Sequence, residues 1–162
     1  MTQAITTTAP AASGHQSRLS QNPDVLFCYG TLQFGAVLQA LLGRVPQQSP
    51  ASASGYRAAA LEGRVYPGLV IGAPADRADG MVLTDLNNEE WRILDAFEDA
   101  RYELREVRLS NGGCGWAYVW PGGDVRAEDW DPSAFEARHL AAYADRCARL
   151  APGLAQGRPK SE

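Results

Sequence analysis

The sequence predicts an α+β domain whose strands form a curled or closed sheet. Three observations support this prediction. Most apolar segments are short runs separated by Gly, Pro, Asn and Asp, which is typical of strands and turns. Three segments have helical periodicity, and they do not alternate regularly with the strands, which argues against a doubly wound sheet. The length of 162 residues is that of one domain.

The first half of the chain contains four predicted strands and one helix. A continuous apolar run over 25–29 ends at Gly30 and predicts a strand buried on both faces. A helix follows over 36–42, with its apolar residues on one side and Gly43 as its C-terminal stop. Three further strands, separated by Gly, Pro and Asp, are predicted over 55–61, 69–71 and 80–86.

The second half begins with a helix start signal. Asn87 followed by Glu90 forms a predicted capping box, and the helix should run to about Glu98. A strand is predicted over 102–109. Its apolar residues change phase halfway, which predicts a β-bulge near Arg105.

A hairpin and a final helix complete the predicted domain. The turn 111–113 leads into 115–120, where aromatic and small residues alternate, so we predict a β-hairpin. Asp131 as N-cap and Pro132 at the first helical position begin a helix over 131–150.

We predict one folded domain over 25–151 between two tails. Residues 1–24 have few large apolar side chains and should form a disordered tail, and 152–162 a second, flexible one. The tail over 1–24 has no acidic residue before Asp24, so an organelle-targeting segment is the alternative.

Composition excludes several function classes. The only Lys is Lys160, in the C-terminal tail, which argues against Schiff-base or phosphate-loop chemistry. The two His and three Cys are scattered, so we expect no structural zinc and no redox cysteine pair. The net charge of −4 and the lack of a long apolar run argue against nucleic-acid and membrane partners. The odd Cys number favours a reducing, cytoplasmic location.

Two segments carry candidate chemistry. Tyr29-Gly30-Thr31-Leu32 follows a buried strand, and N–H groups in such a turn can bind a carboxylate or phosphate. An ordinary turn is the alternative.

Glu98 lies among acidic residues near a helix C-terminus, and both features should raise its pKa towards the range of a general acid/base. A solvated acidic loop with Asp95 or Asp99 paired to Arg101 is the alternative.

Three other residues have both structural and chemical interpretations. The hydroxyl of Tyr102, four residues after Glu98, could reach the same cavity or belong to a core tyrosine. Cys28 is most simply a small buried apolar residue, and His139 a structural one. A nucleophilic hydrolase that uses Cys28 with His139 is a distant alternative function.

The order of these motifs resembles the gamma-glutamylcyclotransferase superfamily, in its AIG2-like branch. The resemblance covers roughly residues 25–120. It rests on the following segments: 29–32, 55–56, 63–70, 80–83, 94–98 and Tyr102.

The resemblance implies a small mixed β-barrel with flanking helices and a cavity. It also implies an enzyme that cleaves a γ-glutamyl amide by attack of the substrate's own α-amine, releasing 5-oxoproline and a free amine. In this scheme the 29–32 loop binds the glutamyl group, Glu98 is the catalytic acid/base, and Tyr102 lines the pocket. No metal or cofactor is required.

The released amine stays open, since the motifs resemble branches that act on γ-glutamylamines and on γ-glutamyl dipeptides. A non-catalytic binding or interaction protein, related to stress or defence, is the alternative function. We expect a small-molecule γ-glutamyl partner and a monomer or weak homodimer.

Overall fold

A single mixed sheet and four α-helices make up residues 18–157, the part of the chain that the computed structural model describes. The α+β class is confirmed. The strands are β1 (Leu26–Cys28), β2 (Gln48–Ser54), β3 (Tyr56–Leu61), β4 (Gly68–Ile71), β5 (Arg77–Leu83), β6 (Glu103–Arg108), β7 (Cys114–Val119) and β8 (Val125–Asp129). The helices are α1 (Gly35–Leu42), α2 (Asn88–Phe97), α3 (Pro132–Arg138) and α4 (Leu140–Ala155), and Thr31–Gln33 form a 3-10 turn.

The sheet is strongly curved but not closed. Its order is β2-β5-β1-β7-β4-β3-β8, with β6 paired to β7, so β2 and β8 are the ends of this path among the described residues. The curvature brings the chain after β6 back to β2, where the Ser110 N–H donates to the Ser52 carbonyl at 2.8 Å. The barrel that the resemblance implies is therefore an open, curled sheet.

The helix boundaries follow local capping signals. Asn87 Oδ1 accepts from the Glu90 N–H (2.8 Å), and Glu90 accepts from the Asn87 N–H (3.1 Å), which confirms the capping box that begins α2. Gly43 ends α1 with φ of 80°. Asp131 accepts from two N–H groups at the start of α3, as the N-cap prediction requires.

The hairpin of β6 and β7 is confirmed, but the bulge near Arg105 was wrong. The two strands pair without a register shift along their whole length. The apolar phase changes because the sheet has a hydrophobic cluster on each face: Leu104 belongs to one cluster and Val107 to the other. Because β6 contributes apolar side chains to both faces of the sheet, its apolar positions change phase as they would at a bulge, although the strand is regular.

The C-terminal helical region differs from the prediction in two ways. It breaks at His139 into α3 and α4, and α4 continues through Pro152 to Ala155. The predicted flexible tail over 152–162 was therefore wrong for its first residues, since Leu154 is buried in the main cluster. Residues 158–162 lie outside the described residues.

The prediction of a disordered tail over 1–24 was also wrong for the part of this segment that the structure describes, which begins at Arg18. Residues 1–17 lie outside the described residues, but Arg18 is 6% exposed and forms an ion pair with Asp95. The burial of an arginine that is paired with a carboxylate is a tertiary effect without a local sequence signal.

The helices pack on one face of the sheet. The larger cluster contains apolar residues of α1, α2 and α4 together with Trp116 and Tyr118 of β7 and Trp120, which follows this strand. None of the helices within residues 18–157 is sufficiently long and apolar to cross a membrane.

Candidate active site

The candidate site lies over a gap between β1 and β4, two strands that pair with the same edge of β7. The Trp116 N–H donates to a carbonyl next to β1 (2.7 Å), and the Trp120 N–H donates to a carbonyl of β4 (3.0 Å). Alternate residues direct their backbone polar groups to the same strand edge, so β1 and β4 share one edge of β7. Between them, the Tyr118 carbonyl accepts a hydrogen bond from the Tyr29 hydroxyl. Strands β1 and β4 therefore separate from each other along this edge of β7, and the side chain of Tyr29 crosses the gap between them.

This gap opens into a cleft with an empty volume of about 450 Å³, including its mouth. Its walls come from β1 and the following loop, the segment before β4, the end of α2, and single tyrosines of β7 and α4. Among residues 18–157, no Arg, Lys or His lines the cleft. Its residues are Leu26, Phe27, Cys28, Tyr29, Gly30, Thr31, Leu32, Tyr66, Pro67, Phe97, Glu98, Asp99, Tyr102, Tyr118 and Tyr143.

The loop after β1 places backbone N–H groups at the cleft wall. The 3-10 turn is closed by the Gln33 N–H, which donates to the Gly30 carbonyl at 3.2 Å. The N–H groups of Thr31 and Leu32 begin this turn, so they have no acceptor within it. A Cβ on Gly30 would lie 2.9 Å from Cγ of Pro67, which explains the glycine. A ligand carboxylate or carbonyl could accept from these two donors.

Glu98 lies at the end of α2, with its half-buried side chain on the same cleft. Its N–H donates to the Leu94 carbonyl (3.0 Å), and its own backbone is extended, so the helix ends there. Burial and then the negative charge of Glu98 raise the pKa of the Cys28 thiol and of the Tyr29 hydroxyl. The carboxylate is therefore electrostatically coupled to the loop wall.

Five tyrosines, the cleft tyrosines, surround this carboxylate. Burial is the largest cause that raises the pKa of each above its ordinary value, and for Tyr66 the pKa reaches about 12. All five hydroxyls are therefore neutral donors near pH 7. The cleft tyrosines are Tyr29, Tyr66, Tyr102, Tyr118 and Tyr143.

Several of these hydroxyls hold the walls together. Tyr102 donates to the Pro67 carbonyl at 2.5 Å, which ties the start of β6 to the segment before β4. Tyr66 donates to Asp99 Oδ2 at 2.8 Å across the mouth. The Thr31 hydroxyl donates to the Tyr143 hydroxyl at 3.4 Å.

The other two acids near Glu98 have structural contacts. Asp95 is buried, forms an ion pair with Arg18 (2.9 Å) and accepts from the Tyr118 hydroxyl (2.7 Å). Asp99 accepts from Tyr66 and from the Arg101 N–H (2.9 Å). Within residues 18–157, no group of three or more His, Cys, Asp or Glu residues could hold a metal ion.

The structure brings all six predicted site residues into one cleft: Glu98, Tyr29, Gly30, Thr31, Leu32 and Tyr102. Their roles stay predictions. Sequence reasoning missed Tyr66 and Tyr143 as lining residues. Tyr143 lies one helical turn before Cys147 on the buried side of α4, so helical periodicity could have identified it.

The alternative pair of Cys28 and His139 is not brought together. Cys28 lines the cleft as a buried residue, but burial and then the charge of Glu98 raise its thiol pKa. His139 lines a different cavity beside α3, with its ring 6.0 Å from that of Phe135. Nucleophilic chemistry of this pair therefore has no geometric support.

Comparison with known proteins decides the family. The profile of the family described as gamma-glutamyl cyclotransferase, AIG2-like, matches residues 26–134. The chain belongs to this family. The match contains all six predicted site residues and runs from β1 to the first turn of α3.

Curated members of this AIG2-like family are similar to the central part of the chain. AIG2-like protein D of Arabidopsis thaliana is 37% identical over 84 residues, which are 52% of this chain and 55% of that protein. AIG2-like protein C of the same plant is 38% identical over 84 residues, covering 52% and 48%. The chain thus spans about half the length of these relatives.

Solved structures share the fold. A protein of Arabidopsis thaliana solved in solution has a TM-score of 0.57 and 25% identity, and the match covers 78% of this chain and 81% of that one. A solved gamma-glutamyl cyclotransferase has a TM-score of 0.55 at 14% identity, with 86% and 90% covered. The second similarity shows the fold alone.

Proposed function

We propose that this protein is a cofactor-independent gamma-glutamylcyclotransferase that releases 5-oxoproline and a free amine from a γ-glutamyl amide. The observation that carries the proposal is that Glu98 and the N–H groups of the 29–32 turn line the same cleft. The family membership supports the same reaction class.

The cleft offers suitable contacts for the charged ends of a γ-glutamyl group. The N–H groups of Thr31 and Leu32 can donate to the substrate α-carboxylate, and within residues 18–157 the lining offers no arginine or lysine for this contact. The Glu98 carboxylate can attract the α-ammonium. These two contacts would hold the glutamyl chain bent, with its α-nitrogen near the γ-carbonyl.

Proton transfer is the remaining chemical requirement. The α-ammonium becomes a nucleophile only after it loses a proton, which Glu98 accepts as general base. The α-nitrogen then forms a bond to the γ-carbon, Glu98 passes the first proton to the amide nitrogen, and the bond between that nitrogen and the γ-carbon breaks. The new ring nitrogen loses its second proton, which the released amine takes up as it leaves as an ammonium ion. Nucleophile and electrophile belong to one molecule, so binding in the bent conformation supplies much of the rate enhancement.

The cleft tyrosines shape the site of this reaction and do not act as its base. Their pKa values are raised, so they do not act as bases near neutral pH. Tyr29 and Tyr102 donate their hydroxyl protons to backbone carbonyls of the walls. They would fix the width of the cleft and exclude water from the bent substrate.

A substrate panel tests the proposal. Purified protein is incubated with glutathione, γ-glutamyl-alanine and γ-glutamyl-ε-lysine, and 5-oxoproline is quantified by mass spectrometry. We expect product from at least one of them, and the productive substrate identifies the released amine. Binding without any 5-oxoproline would contradict the enzyme and favour the non-catalytic AIG2-like binding protein. The expected cytoplasmic location and monomer or weak homodimer stay predictions.

A further inference from the structure

Arg18 is a buried arginine that contacts the segment carrying Glu98. Its guanidinium donates to three backbone carbonyls, those of Asp95 (2.8 Å), Asp99 (2.9 Å) and Tyr102 (3.0 Å). Glu98 lies between the first two of these residues. Arg18 therefore binds the backbone on both sides of the proposed acid/base.

The end of a helix explains why this contact matters. The last carbonyls of an α-helix have no partner within the helix and carry partial negative charge. Asp95 is in the last turn of α2, and the chain leaves the helix at Glu98 in an extended conformation. A planar guanidinium with several fixed donors can satisfy carbonyls on both sides of such a change in direction.

The same side chain also connects this segment to the floor of the cleft. Arg18 Nε lies 2.9 Å from Asp95 Oδ1, and this carboxylate accepts a hydrogen bond from Tyr118. The guanidinium carbon is 5.2 Å from the centroid of the Tyr118 ring. The backbone around Glu98 and the tyrosine opposite it are thus held by one residue.

We propose that Arg18 is a positioning residue, which holds the Glu98 backbone in the geometry that proton transfer requires. The inference rests on the proposed function. Arg18 precedes the family match, which begins at residue 26, so the match assigns nothing to it. It does not line the cleft and would act only through the segment over 95–102.

Arg44 provides a control, because it lies outside α2 and contacts this helix at its other end. It binds Glu90, in the first turn of α2, through two bonds of 2.6 and 2.7 Å. Loss of either arginine therefore removes a multiply bonded contact to α2, but only Arg18 contacts the end that carries Glu98. The Arg44 side chain is 41% exposed and that of Arg18 is 6% exposed, so the Arg18 variant should lose more stability, and rates are therefore compared only under conditions where both variants are folded.

The test compares Arg18→Met with Arg44→Met in the full chain, with the γ-glutamyl compound that the wild type turns over fastest. All rates are measured well below the unfolding midpoint of each variant. Because a misplacement of 1 Å can lower a rate about 100-fold, we expect Arg18→Met to lower kcat at least about tenfold. KM should rise by a smaller factor than kcat falls, since the contact of the 29–32 turn with the substrate α-carboxylate is on another wall and only the contact of Glu98 with the α-ammonium is disturbed. Arg44→Met should keep the wild-type kcat.

A double variant separates positioning from charge compensation. Arg18→Met leaves the Asp95 carboxylate without its ion-pair partner, which could unfold the protein. Arg18→Met with Asp95→Asn removes this charge, and the Asn side chain can still accept from Tyr118. We expect stability to recover while kcat stays low. Recovery of kcat in the double variant would overturn the positioning role.

Amide hydrogen exchange gives a readout that does not depend on activity. We expect faster exchange over 95–102 in Arg18→Met and wild-type exchange there in Arg44→Met. Unchanged exchange, or a wild-type kcat in Arg18→Met, would overturn the proposal. If the wild type releases no 5-oxoproline, the proposed function fails, and the exchange rates alone decide whether Arg18 positions this segment.

Discussion

Replacement of Gly80 by alanine should destabilise the protein and displace the loop that begins at Tyr29. Gly80 is in β5, beside the end of β1. A Cβ at this position would lie 2.2 Å from the Cys28 carbonyl oxygen and 3.0 Å from Tyr29 Cα. These are backbone atoms, so no change of side-chain rotamer can relieve the clash.

The size of the effect follows from this distance. The strands must separate by about 0.8 Å before the closest contact reaches 3.0 Å. Overpacking of this kind costs about 1–3 kcal/mol, and a backbone obstacle favours the upper end. For a chain of this length each kcal/mol lowers Tm by about 2–4 °C, so we expect a decrease of about 6–12 °C.

Thermal unfolding and steady-state kinetics measure the two consequences. The substitution also moves the start of the 29–32 turn, so KM for the γ-glutamyl substrate should rise. Gly35→Ala is the control, because its Cβ would meet Val45 at an ordinary 3.7 Å. This variant should be as stable as the wild type or up to about 1 kcal/mol more stable. A wild-type Tm for Gly80→Ala would refute the steric argument.

Three further predictions concern groups around the cleft. Iodoacetamide at pH 8 should modify the exposed Cys114 but not the buried Cys28 or Cys147, and activity should persist. Modification of Cys28 in the folded protein would contradict the burial of this thiol. The free energy of unfolding should fall as the pH rises above about 10, because the cleft tyrosines have raised pKa values and ionise first in the unfolded chain. Because one of the six tyrosines, Tyr56, is outside the cleft, ionisation of more than one tyrosine before Tm falls would contradict this. Tyr118→Phe removes a buried hydrogen bond to Asp95 and should cost about 1.5–3 kcal/mol in urea unfolding. A cost near zero would show that the bond contributes no net stability.

Local signals were sufficient for several elements. The capping box of α2, the glycine that ends α1 and the hairpin turn each involve residues close together in sequence. Their hydrogen bonds form within a few residues, so the sequence contains the information directly. The loop after β1 and the end of α2 were identified in the same way.

Strand β2 was missed because its sequence lacks an apolar run. Gln48–Ser54 is polar and contains Pro50, which lowers its predicted strand tendency. It forms an end of the described sheet and pairs with β5 along its whole length. An edge strand tolerates proline and polar residues because one side needs no ladder partner.

The residues of the site were predicted from the sequence, but the way in which the fold brings them together was not. Motif order placed Glu98 and the 29–32 turn in one cavity only through the family resemblance. The divergence of β1 and β4 along one edge of β7 creates the cleft, and this arises from long-range pairing that no local pattern encodes. The contact of Arg18 with the end of α2 spans 77 residues, and was missed for the same reason.

The central claim is that Glu98 is the group that transfers the proton. The direct measurement is the rate of 5-oxoproline release by Glu98→Gln at saturating substrate, compared with Asp99→Asn, the neighbouring acid on the same cleft. General acid/base catalysis contributes about 10²–10⁴-fold, so Glu98→Gln should lose at least about 100-fold, while Asp99→Asn stays within about tenfold. Wild-type turnover by a folded Glu98→Gln variant would contradict the account.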